Sequence, residues 1–341
     1  MIRRYRTDPR SSIALRAAAV LLALVGALPA IAQENAATEP SRALEDVLVT
    51  GLQPGPGLWR VTDGEHELWI LGTLDPLPKK LAWRSPQVEA LLAKSDAVIA
   101  PPQARFSIGT FRGLLLLPTW LRVRRNPDNQ TLKDILTPDV YARWAALRQR
   151  YAASDDALDR LRPVVAVREL YERAIAKADL DRDDIVWNQV RAMARAHRIP
   201  VTTVDVAGSV EDPKASLKQW AALPPGTEAG CFAATLDRLE RDLSLMRVRA
   251  NLWSVGDVEA LRGVVDVEPE LACRQVLDSV TSLREPVSRL RKQLEEAWSG
   301  AITAALATNR STVAVLPITQ LLQPDGVVRR LREHGYVVTE P

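Results

Sequence analysis

The sequence predicts an α+β fold: a small mixed β-sheet formed from both chain ends and flanked by a helix-rich middle. Three observations carry this expectation. Short apolar, strand-like runs lie at Leu58–Thr62 and Leu68–Leu71, and again at Thr312–Leu316 and Tyr336–Val338. Between them, apolar residues recur at helical spacing through long charged stretches. No short-period repeat or low-complexity tract interrupts the pattern, so a single domain is expected over residues 58–341.

The elements follow in order. Leu58-Trp59-Arg60-Val61-Thr62 and Leu68-Trp69-Ile70-Leu71 flank Asp63-Gly64, a hairpin signal because glycine tolerates positive φ. Gly72-Thr73-Leu74-Asp75-Pro76 leaves the second strand. Ser85-Pro86 reads as an N-cap followed by proline at the first helical position. Val88, Leu91 and Leu92 form that helix's apolar stripe, and Ala97–Ala100 returns as a short buried strand. Leu114 to Leu117, before Pro118, reads as a short core or interface segment. Thr137-Pro138-Asp139 repeats the cap-plus-proline start. Pro163 opens a helix to about Ala178, and Asp184 to His197 forms another. Pro200–Asp205 is expected as a strand, being rich in β-branched residues. Long amphipathic helices are expected around 228–261 and 286–308. A strand at 312–316, a helix at 324–333, the C-cap Gly335 and a strand at 336–338 close the chain.

Composition places limits on function. The chain has 341 residues, 26% charged and 47% hydrophobic, an ordinary globular balance. Its net +3 is misleading. Residues 1–32 contribute +4, and the remainder holds 40 basic and 41 acidic residues, net −1. No general nucleic-acid footprint is present, because phosphate binding needs clustered excess positive charge. Residues 1–32 read as a secretory signal peptide: a basic front, the apolar stretch Ala17–Leu28, and the small-x-small site Ala30-Ile31-Ala32. The stretch is short for a bilayer span, and an uncleaved anchor is the alternative. Residues 33–57, rich in Ala, Glu, Pro and Gly, read as a flexible leader. A periplasmic location is expected, with no stable membrane span after cleavage behind Ala32. Oxidising surroundings would permit a bridge between Cys231 and Cys273; two buried, inert thiols are the alternative.

The sequence is poor in recognisable chemistry. Its three histidines are separate: His66 by the hairpin turn, His197 and His334 at helix C-termini, where the helix dipole favours them. There is no His-Glu-x-x-His, Cys-x-x-Cys, Walker loop or Gly-x-Ser-x-Gly. Arg122-Val123-Arg124-Arg125 is the sharpest basic cluster, either a solvated face or an anion site. The nine tryptophans are spread through separate elements, as core residues would be.

The sequence resembles the TraB/GumN family, the group that includes the Tiki proteases. The resemblance is carried by Leu58-Trp59-Arg60-Val61, Leu68-Trp69-Ile70-Leu71-Gly72-Thr73-Leu74-Asp75-Pro76-Leu77-Pro78 and Trp83-Arg84-Ser85-Pro86. It continues through Ser95-Asp96-Ala97-Val98, Thr131–Pro138, Leu161-Arg162-Pro163 and Trp253-Ser254-Val255-Gly256-Asp257. It closes with Pro324-Asp325-Gly326-Val327-Val328 and Leu331–Val338. Order and spacing match over about residues 58–338.

The resemblance implies a divalent-metal hydrolytic site built where Gly-x-x-His motifs from the two chain ends meet, with glutamates. Imidazoles and carboxylates hold a metal that lowers the pKa of bound water. This chain departs from the pattern at each place. Asp75 stands where the first histidine is expected, Gln320 where the second is, and Pro317 replaces the second motif's glycine. Pro101 takes the place of one glutamate and Asp205 that of another. Asp75 and Asp205 retain hard-cation ligand chemistry, Gln320 is a weak neutral ligand, and Pro101 has no side-chain donor. The expectation is a metalloprotease-like scaffold without catalytic activity and without a bound cofactor, binding a peptide or envelope protein. One alternative is an active peptidase that uses Mn, Co or Zn at a rebuilt site of Asp75 and Asp205. The other is a structural partner in envelope or exopolysaccharide assembly.

Overall fold

The computed structural model describes residues 51–341 apart from 53–54, 80, 82, 108–109, 154, 182–183 and 266–267. The expected signal peptide and most of the expected leader lie outside the described residues. The described residues form one compact unit.

Strand β1 (Gly51–Leu52) pairs in parallel with β5 (Trp83–Arg84). Between them run β2 (Leu58–Thr62), β3 (Glu67–Thr73) and β4 (Leu77–Pro78). The hairpin of β2 and β3 turns as its sequence dictates. Gly64 adopts φ 108°, and the Asp63 carboxylate accepts the backbone N–H groups of Glu65 and His66 at 3.0 and 2.8 Å. Within the segment expected to be a loose leader, Gly55–Gly57 are buried, and the Gly55 N–H donates to the Ser254 carbonyl at 3.2 Å.

Helix α1 (Pro86–Lys94) starts from the Ser85 cap, whose hydroxyl accepts the Val88 N–H. Then come β6 (Ala97–Ile99), β7 (Gln103–Ser107) and α2 (Thr110–Val123). Pro118 falls inside α2; losing one N–H can kink a helix without stopping it. The helical middle comprises α3 (Leu132–Ile135), α4 (Pro138–Ala152), α5 (Pro163–Lys177), the short β8 (Leu180–Asp181) and α6 (Ile185–Ala196). The strand expected at 200–205 divides into β9 (Val201–Thr202) and β10 (Asp205–Ser209), which join different sheets.

Helix α7 (Pro213–Ala222) precedes α8 (Ala229–Val255). The long helix expected to reach 261 stops at Gly256, which adopts φ 75°, and α9 (Val258–Arg262) begins from the Asp257 cap. After α10 (Glu268–Ser279), α11 (Thr281–Thr308) starts earlier than Pro286 suggested, at Thr281. Strand β11 (Ser311–Pro317), α12 (Ile318–Leu322), α13 (Val327–Glu333) and β12 (Val337–Thr339) complete the chain.

The main sheet has the order β12-β2-β3-β11-β6-β9. β2 pairs antiparallel with both β12 and β3, whereas β3, β11, β6 and β9 are mutually parallel. The sheet is therefore mixed, and strands from both chain ends meet at its centre, as expected. Strand β11 is buried along Thr312–Leu316, a continuous apolar run suited to a parallel strand covered on both faces. Trp59, Ile70, Leu71, Val98, Val313, Val315 and Trp253 share one core. A second core forms among α4, α5 and α8 from Trp144, Leu170, Phe232 and Leu236.

Candidate functional site: the carboxyl edge of the parallel strands

The four positions singled out by sequence all fall just beyond the carboxyl ends of the four parallel strands. Asp75 lies two residues after β3, Gln320 within α12 after β11, Pro101 two residues after β6, and Asp205 three residues after β9. The register fixes this common edge: Thr73 pairs with Pro317, Ala314 with Ile99, and Ile99 with Thr202. Four adjacent strands span about 14 Å at ordinary spacing. The edge at which open parallel sheets bind ligands is thus the edge these positions occupy.

Their local chemistry differs. Asp75 is exposed, precedes a cis bond to Pro76, and lines a cavity of about 20 Å³ with Thr73, Asp181, Asp184 and Trp187. That volume holds about one water. Asp205 sits instead at the start of β10, beside Gln103 in the separate sheet with β7. Its carboxylate accepts from Arg105 Nη2 at 3.2 Å. Pro101 and Gln320 are half-buried. The structure therefore places Asp75 with Asp181 and Asp184, two residues the sequence did not single out. Among the described residues, no group of three or more His, Cys, Asp or Glu side chains is arranged to hold a metal ion.

The edge rests on a rigid support. Trp253 Nε1–H donates to the Gly72 carbonyl at 2.7 Å, and its ring meets Trp83 at a centroid distance of 5.4 Å. A Cβ at Gly72 would lie 3.1 Å from Ile318 Cγ1 and 3.2 Å from Trp59 Cζ3, so the absence of a side chain lets α12 pack onto β3. This contact joins the segment that leads to Asp75 with the one that carries Gln320, more than two hundred residues apart in sequence.

The histidines sit where the sequence suggested. His197 and His334 cap the ends of α6 and α13, and His66 Nδ1 contacts the Asp63 carboxylate at 3.1 Å. Cys231 and Cys273 form a disulfide joining α8 and α10. Six of the tryptophans are buried, while Trp120 is exposed and stacks on Trp220 at 5.6 Å.

A buried ion pair went unnoticed in the sequence. Arg162 Nε donates to Glu228 at 2.7 Å, and both side chains are almost wholly excluded from solvent. The Val164 N–H and the Trp220 indole also donate to Glu228, and the Arg162 guanidinium lies over the Trp220 ring. Glu228 had no distinguishing local pattern; Arg162 was visible only within Leu161-Arg162-Pro163.

A mixed sheet joining both chain ends beneath a helical middle defines the class. The sequence model of the TraB/PrgY/gumN family matches residues 57–340, and the chain belongs to that family. No curated relative and no solved structure matches it.

Proposed function

We propose that this protein is an exported, non-catalytic member of the TraB/PrgY/gumN family that binds a peptide or envelope component at the carboxyl edge of its parallel strands. The observation that carries this reading is the donor set along that edge. Pro101 has no side-chain donor, Gln320 is neutral, and Asp205 is engaged by Arg105. These residues do not fit a transition-metal centre, which is held by imidazole, thiolate or carboxylate. No hydrolytic step is therefore assigned to them.

One observation favours a second reading, a rebuilt carboxylate site. Asp75 shares its cavity with Asp181 and Asp184, and clustered carboxylates suit hard cations. That version replaces Asp205 as the partner of Asp75.

Metal content of the exported chain, purified without chelators and then incubated with Mn, Co or Zn, separates the readings. The expected result is far less than one equivalent of metal and no peptide cleavage. Near-stoichiometric metal, with chelator-sensitive cleavage lost in Asp75→Ala and Asp184→Ala, would establish the hydrolase instead.

A further inference from the structure

Helix α2 carries an apolar face that the rest of the described protein does not cover. Leu114, Leu115, Leu117 and Leu121 are 70%, 65%, 47% and 49% exposed. Leu114, Pro118 and Leu121 recur at i, i+4 and i+7, which places them on one face. The opposite side of the helix is the packed one, where Trp120 stacks on Trp220 of α7 and Val123 is buried. A cluster of exposed leucines on one helix exceeds the scattered apolar exposure of a normal surface.

Along the chain, the segment that contains this helix carries charges of one sign. From Ala97 to Pro127 there is no Asp or Glu, while Arg105, Arg112, Arg122, Arg124 and Arg125 occur. Where α2 ends, a cavity of about 150 Å³ opens, lined by Leu121, Arg124, Arg125, Arg160, Arg173 and Glu169, among others. Arg173 is paired with Asp155 at 2.7 Å. Leu121 belongs both to the apolar face and to the cavity wall, so the leucine stripe runs directly into an arginine-lined recess.

We propose that α2 docks on an anionic lipid bilayer surface, lying in the interface without spanning it. The leucines would enter the boundary between headgroups and acyl chains, and the recess beside them would receive an anionic headgroup. The charge pattern selects this occupant: the helix itself carries no acidic residue, and in the recess four arginines outnumber the two carboxylates Asp155 and Glu169. An apolar face beside excess positive charge is the chemistry of interfacial helices. No helix among the described residues is long and apolar enough to cross a membrane, which is consistent with docking along the surface. The proposal does not depend on the strand-edge site.

The test is co-sedimentation of the full chain with phosphatidylcholine vesicles, with and without phosphatidylglycerol. Compared with wild type are the triple variant Leu114→Ser/Leu117→Ser/Leu121→Ser, the pair Arg124→Gln/Arg125→Gln, and Leu277→Ser as a control on an exposed leucine of α10. The expected result is phosphatidylglycerol-dependent binding, weakened about tenfold or more in the triple variant and in the arginine pair, and unchanged in the control. Far-UV and near-UV circular dichroism should match wild type for every variant, because the replaced side chains are at the surface.

Wild-type binding that persists in the triple variant would assign membrane contact to the apolar residues 17–28 and overturn the proposal. So would binding indifferent to phosphatidylglycerol, or no binding. A wild-type dimer in analytical ultracentrifugation that the triple variant dissociates would make the face a contact between copies and equally overturn it.

Discussion

At the scale of single residues, the most informative side chains are those whose charge is held by local or buried partners. The His66 backbone N–H, with the His66 side chain and the Glu65 N–H adding to it, holds the Asp63 carboxyl at about 2, against an ordinary 3.8. A depressed carboxyl contributes stability that is present above its unfolded value and lost as pH falls through its folded one. An NMR titration of Asp63 should therefore show a midpoint near 2, and the hairpin should loosen only in strong acid; a midpoint near 3.8 would contradict the turn geometry. Glu228 makes a larger contribution. Converting Glu228→Gln leaves Arg162 buried without its countercharge, with an expected loss of about 3–5 kcal/mol in urea denaturation. Replacing both partners, Arg162→Met with Glu228→Leu, should recover much of that loss, since a buried pair can be replaced by apolar side chains at little cost.

At the scale of elements, helix ends and cross-links decide the helical middle. Gly256 ends α8 with φ 75°, and a Cβ there would meet the Gly55 carbonyl at 2.9 Å. Gly256→Ala should cost about 1–2 kcal/mol or more, because both the left-handed backbone and the close approach exclude a side chain; thermal unfolding is the measurement. The Cys231–Cys273 bridge closes a separation of 42 residues. Thiol counting under denaturing, non-reducing conditions should find no free cysteine. Cys231→Ala with Cys273→Ala should lower stability by about 2–4 kcal/mol through the freed unfolded chain. These elements were largely legible beforehand. Ser85-Pro86, Thr137-Pro138 and Pro163 each mark a helix start. The errors fell where a local signal met a tertiary one. Pro286 suggested a start, but α11 begins at Thr281, and the helix expected to run to 261 ends at Val255.

At the scale of the whole molecule, the sheet depends on a strand near the C-terminus. Strand β11 pairs with β3 on one side and β6 on the other, so it separates and organises strands from the N-terminal part. A chain ending before Ser311 should lose cooperative unfolding and aggregate, whereas a chain lacking only β12, an edge strand, should remain folded. Circular dichroism and size-exclusion chromatography of the two truncations make the comparison. The same arrangement gathers Asp75, Pro101 and Gln320 at one edge although their sequence positions are far apart.

The sequence by itself determined the α+β class, the family kinship, the hairpin turn, most helix starts and the two cysteines of the bridge. Each depends on short-range steric and hydrogen-bonding preferences, or on residue order along the chain. Tertiary structure alone decided that Asp75 lies with Asp181 and Asp184, and that Asp205 turns away to Arg105 on a second sheet. It alone revealed Glu228 as the buried partner of Arg162, and the leucines of α2 as exposed. Those outcomes depend on which distant surfaces pack together. An apolar run reads the same in sequence whether the fold covers it or leaves it open, and a carboxylate acquires its partner only when the chain brings one to it.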